Sequence, residues 1–173
     1  MPLISSISGI RGTIGGMAGH NLTPYDLVRF LCAYSWLLKR RFNNRKVKVV
    51  LGRDGRVSGP AIKEFAIATL QLCGVDTIDL DLATTPTVEM AVVRQKAQGG
   101  IIISASHNPA EWNALKLLDS QGEFLSRKDG LELLSITQES GLAFPGAFEL
   151  GQGEAYSQAL ADHFEHEHAM PAE

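Results

Sequence analysis

The chain has 173 residues, 45% of them apolar and 20% charged, with a formal net charge of −3. That is enough chain for one domain with a real core, and its mild acidity offers no basic surface for nucleic acid or an anionic membrane. No stretch approaches the roughly 20 apolar residues of a membrane span, and Met1-Pro2-Leu3-Ile4-Ser5-Ser6 lacks the basic and apolar regions of a secretion signal. Cys32 and Cys73 both fall in apolar helical patterns, so they read as reduced core thiols of a cytoplasmic protein.

Leu3 to Ile7 is a short apolar run that predicts an edge strand. Gly9, Gly12, Gly15, Gly16 and Gly19 follow. Such a segment permits unusual backbone angles and close approach to a ligand, although a plain flexible loop reads equally well. Thr23-Pro24-Tyr25-Asp26 starts a helix with a capping threonine, proline at the first position and an acid at the third. Leu27, Phe30, Leu31, Tyr34 and Leu38 then recur at helical spacing. The basic cluster of Lys39, Arg40, Arg41, Arg45, Lys46 and Lys48 reads as a solvated helix end in preference to an anion site.

Val47 to Leu51 predicts a second strand, leading into Gly52-Arg53-Asp54-Gly55-Arg56. Ser58-Gly59-Pro60 opens a helix with an apolar face of Ile62, Phe65, Ala66, Thr69, Leu70 and Cys73, stopped by Gly74. Val75 to Leu82 is a third strand, and Thr85-Pro86 caps a helix reaching about Gln98 and ended by Gly99-Gly100. Ile101 to Ser104 is a fourth strand and Leu115 to Leu118 a further one, with a turn at Asp119-Ser120-Gln121-Gly122. Ser126-Arg127-Lys128-Asp129 caps a helix running through Leu131, Leu134 and Glu139. Gly141 to Gly153 looks like a connector and Tyr156 to His168 like a last helix. The alternation predicts an α/β protein: a three-layer α/β/α domain over residues 1–141 with a mixed, mostly parallel sheet of four to five strands, then a connector over 142–173.

Chemistry concentrates in Ile101-Ile102-Ile103-Ser104-Ala105-Ser106-His107-Asn108-Pro109. A buried strand ends there in small polar residues, the place where open α/β sheets bind ligands, and Ser106 is the candidate nucleophile. A lone Ser-His pair is usually just a turn, and neighbours rarely place a base on the adjacent hydroxyl, so a hydrolase triad fits poorly. Asp79 and Asp81 share one strand face but lack the cage that magnesium or calcium wants. His163, His166 and His168 lack the i, i+4 spacing of a shared helix face.

Ser104 to Pro109, followed by Asn113 and Lys116, resembles the phosphoserine loop of the α-D-phosphohexomutases, which include phosphoglucomutase, phosphomannomutase and phosphoglucosamine mutase. Ser8-Gly9-Ile10-Arg11-Gly12 and Gly52-Arg53-Asp54-Gly55-Arg56 agree with the family in order. The resemblance covers nearly the whole chain but the first of the family's four domains alone. It implies that Ser106 is carried phosphorylated and exchanges its phosphoryl group with a hexose phosphate, interconverting the 1- and 6-phosphates through a bisphosphorylated sugar. Arg11, His107 and Lys116 are then the expected catalytic neighbours, with Arg53, Arg56, Asn108 and Asn113 binding substrate or phosphate and Arg53 or Arg56 orienting the serine loop or its phosphate. Asp54 is expected to hold an arginine.

The same resemblance implies Mg²⁺ on the phosphoserine oxygen of Ser106, a hexose 1,6-bisphosphate activator, and the remaining domains of the same enzyme as partners, with no nucleic acid and no membrane. Two positions depart from the family pattern: Ser8 stands where aspartate is usual, and Ala114 where glycine is usual. The family's Asp-Gly-Asp-x-Asp-Arg magnesium run does not occur in the chain. The expectation is therefore a first domain that is inactive alone, against the rival reading of a non-catalytic remnant that binds a sugar phosphate or a protein.

Overall fold

The computed structural model describes residues 3–6, 9–43 and 46–163. Ser8, Arg45, His166, His168 and the end of the expected last helix lie outside them. The strands are β1 (Ile4–Ser6), β2 (Gly9–Thr13), β3 (Val47–Arg53), β4 (Val75–Leu82), β5 (Gly99–Ile103), β6 (Trp112–Leu118) and β7 (Gly153–Ala155). The helices are α1 (Pro24–Arg41), α2 (Gly59–Leu72), α3 (Thr85–Arg94) and α4 (Arg127–Ile136). All strands join one sheet in the order β1-β2-β6-β5-β3-β4-β7.

That is a sheet of seven strands, not four to five. The parallel half is β5, β3, β4 and β7, while β1, β2 and β6 pair antiparallel, so three of the six neighbour pairs are parallel. The two added strands have clear origins. The start of the glycine-rich segment is β2, extended against β6. The end of the expected connector is β7, a short edge beside β4.

Alternation along the strands builds two apolar layers. Val49, Leu51, Ile101, Ile103, Leu115 and Leu117 face Phe30, Leu31 and Tyr34 of α1, Ile62 and Leu70 of α2, and Leu133 and Ile136 of α4. Val50, Ile78, Ile102 and Leu118 face Val88, Ala91 and Val92 of α3, joined by Ala159 from the short helical start at 159–163. These are the three expected layers.

Local signals held where they were self-contained. Thr23 with Asp26 and Ser126 with Asp129 each form a reciprocal capping box. Asp26 also accepts from the Gly19 amide at 3.1 Å, tying the glycine-rich turn to the start of α1. The basic end of α1 is paired: Arg40 bonds Glu139 at 3.0 Å and Arg41 bonds Asp129 at 2.5 Å, clamping α4, while Lys39 donates to the Cys73 carbonyl.

Two elements differ from expectation. Helix α3 ends at Arg94, and Gly99-Gly100 open β5 instead of stopping a helix. The cause is Tyr34, fully buried on α1, whose hydroxyl reaches the Leu118 carbonyl at 2.5 Å and the Gly100 carbonyl at 3.2 Å. A methyl group at Gly99 would collide with that hydroxyl. Helix α4 buries Leu133 and Ile136 while Leu131 is exposed, and it stops before Glu139.

Candidate active site

Strand β5 leaves the sheet at Ser104, whose amide still bonds the Ala114 carbonyl of β6 at 3.2 Å. The loop beyond is held by its own polar groups. The Ser106 amide donates to Ser104 Oγ at 3.1 Å, and both the backbone and side-chain amides of Asn108 donate to the Ala105 carbonyl, at 3.1 and 2.8 Å. Ser106 adopts φ +55°, left-handed backbone that costs a non-glycine residue about 1 kcal/mol or more. In that turn its exposed Oγ meets His107 Nδ1 at 3.1 Å, a neighbour contact the sequence argument held to be rare.

Arg56 ties this loop to the end of β3. Its Nη2 donates to the carbonyls of Ser106 (2.9 Å) and Asn108 (2.7 Å), and its Nη1 to those of Pro109 (2.7 Å) and Trp112 (3.0 Å). Asp54 accepts from Arg56 Nε at 3.2 Å and from the Arg56 amide at 3.0 Å, the arginine-holding role expected of it. The Asp54 amide in turn bonds the Ile103 carbonyl at 3.1 Å.

Beside the loop lies a cleft of about 370 Å³, lined by Arg11, Ser104, Ser106, Asn108, Lys116 and Phe124 among others. Register explains why the two cations share it. Gly9 pairs with Lys116 and Arg11 with Ala114, so Arg11 and Lys116 are diagonal neighbours on one face of the β2–β6 ladder. Lys116 also pairs with Ile102 of β5, which brings that face up to the serine loop. At Gly9, φ is +138° and an added Cβ would strike the Leu115 carbonyl, so β2 can approach this closely with glycine there. Among the described residues, neither the Arg11 nor the Lys116 side chain makes a hydrogen bond or ion pair, so their side-chain donors are unspent. Nearby Glu89 of α3 has its carboxyl raised by burial, against the opposing charge of Lys116.

Other candidates are engaged elsewhere. Arg53 bonds Asp81 through Nε at 2.9 Å and Nη2 at 2.8 Å, bracing β3 to β4. Asn113 is fully buried, giving its amide to Ser58 Oγ at 2.9 Å while its oxygen accepts from the Ala114 amide. Arg53 and Asn113 thus make their bonds inside the protein. Asp79 and Asp81 receive Lys63 Nζ at 2.7 and 3.1 Å, and His163 Nδ1 lies 2.9 Å from Thr87 Oγ1. Phe124 and Glu89 were missed from sequence. Phe124 comes from the turn after β6 and Glu89 from α3, so the folded sheet brings them near Lys116 and no local motif signals that.

A layered α/β/α domain with a serine loop at the end of a central strand, facing two unspent cations, defines a class of anion-handling site. Residues 4–143 match the family model "Phosphoglucomutase/phosphomannomutase, alpha/beta/alpha domain I". A phosphoglucomutase/phosphomannomutase of Thermococcus kodakarensis is 41% identical over 119 residues, 68% of this chain and 26% of that protein. A phosphoglucosamine mutase of Ligilactobacillus salivarius is 35% identical over 144 residues, 81% of this chain and 32% of that protein. A crystal structure from Thermus thermophilus, provisionally described as a phosphomannomutase, superimposes with a TM-score of 0.77 at 25% identity, covering 96% of this chain and 36% of that one. The chain belongs to the phosphoglucomutase/phosphomannomutase family, within the α-D-phosphohexomutases, and corresponds to its α/β/α domain I. It spans about a quarter to a third of the length of these curated relatives.

Proposed function

We propose that this chain is the phosphoserine-bearing domain of an enzyme that interconverts hexose 1-phosphate and hexose 6-phosphate. In the proposed cycle the Ser106 Oγ–P bond breaks as a hydroxyl oxygen of the bound sugar phosphate bonds to phosphorus, and the hydroxyl proton passes to a base at the site. The resulting bisphosphorylated sugar then returns its other phosphoryl group to Ser106 Oγ. The observation that carries the reading is the cleft itself: an exposed serine hydroxyl beside Arg11 and Lys116, two cations whose side chains make no hydrogen bond or ion pair among the described residues. Phosphoryl transfer needs positioning and neutralisation of equatorial oxygen charge, which these groups supply. His107 Nδ1, at 3.1 Å from Ser106 Oγ, is placed to exchange a proton or donate to the ester oxygen. Asn108, by tying its side chain to the Ala105 carbonyl, shapes the cleft wall.

Magnesium does not fit a site made by this chain alone. Among the described residues, no group of three or more His, Cys, Asp or Glu side chains could hold a metal. A single phosphoserine oxygen falls far short of the near-octahedral oxygen set that Mg²⁺ demands. In this proposal Ser106 contributes one ligand and further domains of the same enzyme contribute the others, along with the sugar-recognition loops. No helix among the described residues is long and apolar enough to cross a membrane.

The test is turnover of glucose, mannose and glucosamine phosphates by the full-length protein with magnesium and a hexose 1,6-bisphosphate. Isomerisation of at least one, lost in Ser106→Ala, supports the reading. Failure on all three leaves the remnant reading in its place.

A further inference from the structure

We infer that Arg56 is a positioning residue that fixes the backbone presenting the Ser106 hydroxyl, and is not a ligand of substrate phosphate. The inference deepens the phosphohexomutase reading and rests on it for its kinetic arm. A guanidinium has five N–H donors in a fixed planar fork. In Arg56 all five are spent inside the protein: Nε on Asp54, and two each from Nη1 and Nη2 on the carbonyls of Pro109, Trp112, Ser106 and Asn108. An incoming phosphate would have to displace one of these bonds. The side chain is 13% exposed, whereas Arg11 is exposed and makes no such bonds.

The four carbonyls belong to the nucleophile's own residue and to three that follow it, so one planar group sets the course of the chain leaving Ser106. That matters because Ser106 is left-handed, a state that persists when its surroundings over-determine it. Ser104 Oγ fixes the Ser106 amide at 3.1 Å and Arg56 fixes its carbonyl at 2.9 Å. With both peptide flanks of Ser106 held, its Cα–Cβ direction is set, and Oγ is left to rotate about that one bond beside His107 Nδ1. Lysine has three donors on a single nitrogen and cannot span the four carbonyls.

The experiment compares Arg56→Ala and Arg56→Lys with wild type in two arms. In the 173-residue chain, amide hydrogen exchange across residues 104–112 is expected to speed up at least about tenfold in both variants, while exchange in the core strands stays slow. In the full-length protein, kcat is expected to fall about 100-fold with KM for the hexose phosphate within about threefold, as for a misaimed reacting group. Added methylguanidinium is expected to restore part of the Arg56→Ala rate. A raised KM with kcat kept, or unchanged loop exchange, would overturn the inference. If wild type turns over no hexose phosphate, the functional reading fails, and the exchange arm alone decides the positioning role.

Discussion

Ser106 holds a backbone angle that serine rarely adopts, and the groups around it divide into those that hold the loop and those that remain available. Arg56, Ser104 and Asn108 hold it, while Arg11 and Lys116 have donors to spare. Both lie on ordinary strands in a formed ladder, so their side chains can be removed without unpairing β2 or β6. Arg11→Ala and Lys116→Ala in the full-length protein are therefore expected to raise the barrier by about 3 kcal/mol, with melting temperatures close to wild type. Steady-state kinetics beside a thermal melt checks this, and wild-type turnover in either variant would remove that residue from the site. At this scale the sequence was a partial guide. Ser106, Arg11 and Lys116 sit in recognisable motifs, and the structure gathers them. Asn113 looked equally functional, yet its amide is spent on Ser58, a partner distant in sequence that no local pattern names.

Among the elements, β6 connects the halves. It pairs with β2 on one side and β5 on the other, it carries Lys116, and its Trp112 carbonyl is one of the acceptors of Arg56. Asn113 pins it to Ser58 at the start of α2. Asn113→Ala leaves the half-buried Ser58 hydroxyl and the buried Ala114 amide without partners, and should cost about 1–3 kcal/mol in denaturant unfolding. An unchanged midpoint would contradict the bracing role. Helix α4 supplies a pH test. Burial pushes the Asp129 carboxyl up, but hydrogen bonds from Arg41 and Ser126 outweigh it, leaving the carboxyl below its ordinary value of 3.8. A lowered folded value stabilises above the unfolded value, and that stability is lost as pH falls through the folded one. Asp129→Asn should therefore cost about 1 kcal/mol near neutrality, from the capping box, and progressively less below pH ~3.8. Denaturant melts across that range give the curve, and a pH-independent difference would contradict the assignment. Both capping boxes were legible because their partners lie three residues apart. The Gly99-Gly100 pair misled because its partner, Tyr34, comes from a distant helix.

For the whole molecule, apolar layers on both sheet faces and three helices with side-chain N-caps argue that the chain folds by itself. The layering and helix order were legible from periodicity. The count of seven strands was not, since β2 is glycine-rich and β7 is three exposed residues. The site is a different matter from the fold. One serine and two cations do not enclose an anionic sugar phosphate, and orientation can account for about 7 kcal/mol or more of a barrier. The purified 173-residue chain is expected to show a cooperative melt and no isomerisation of glucose 1-phosphate in magnesium with the bisphosphate. Turnover near that of the full-length protein would mean that the site is complete here.

The central claim is that Ser106 is the phosphate acceptor, and peptide mapping tests it most directly. The full-length protein is incubated with glucose 1,6-bisphosphate, digested, and its phosphopeptides sequenced by mass spectrometry. The account predicts a single phosphate on Ser106, absent from Ser106→Ala. Phosphate on Ser104, or an active enzyme with none on Ser106, would contradict it.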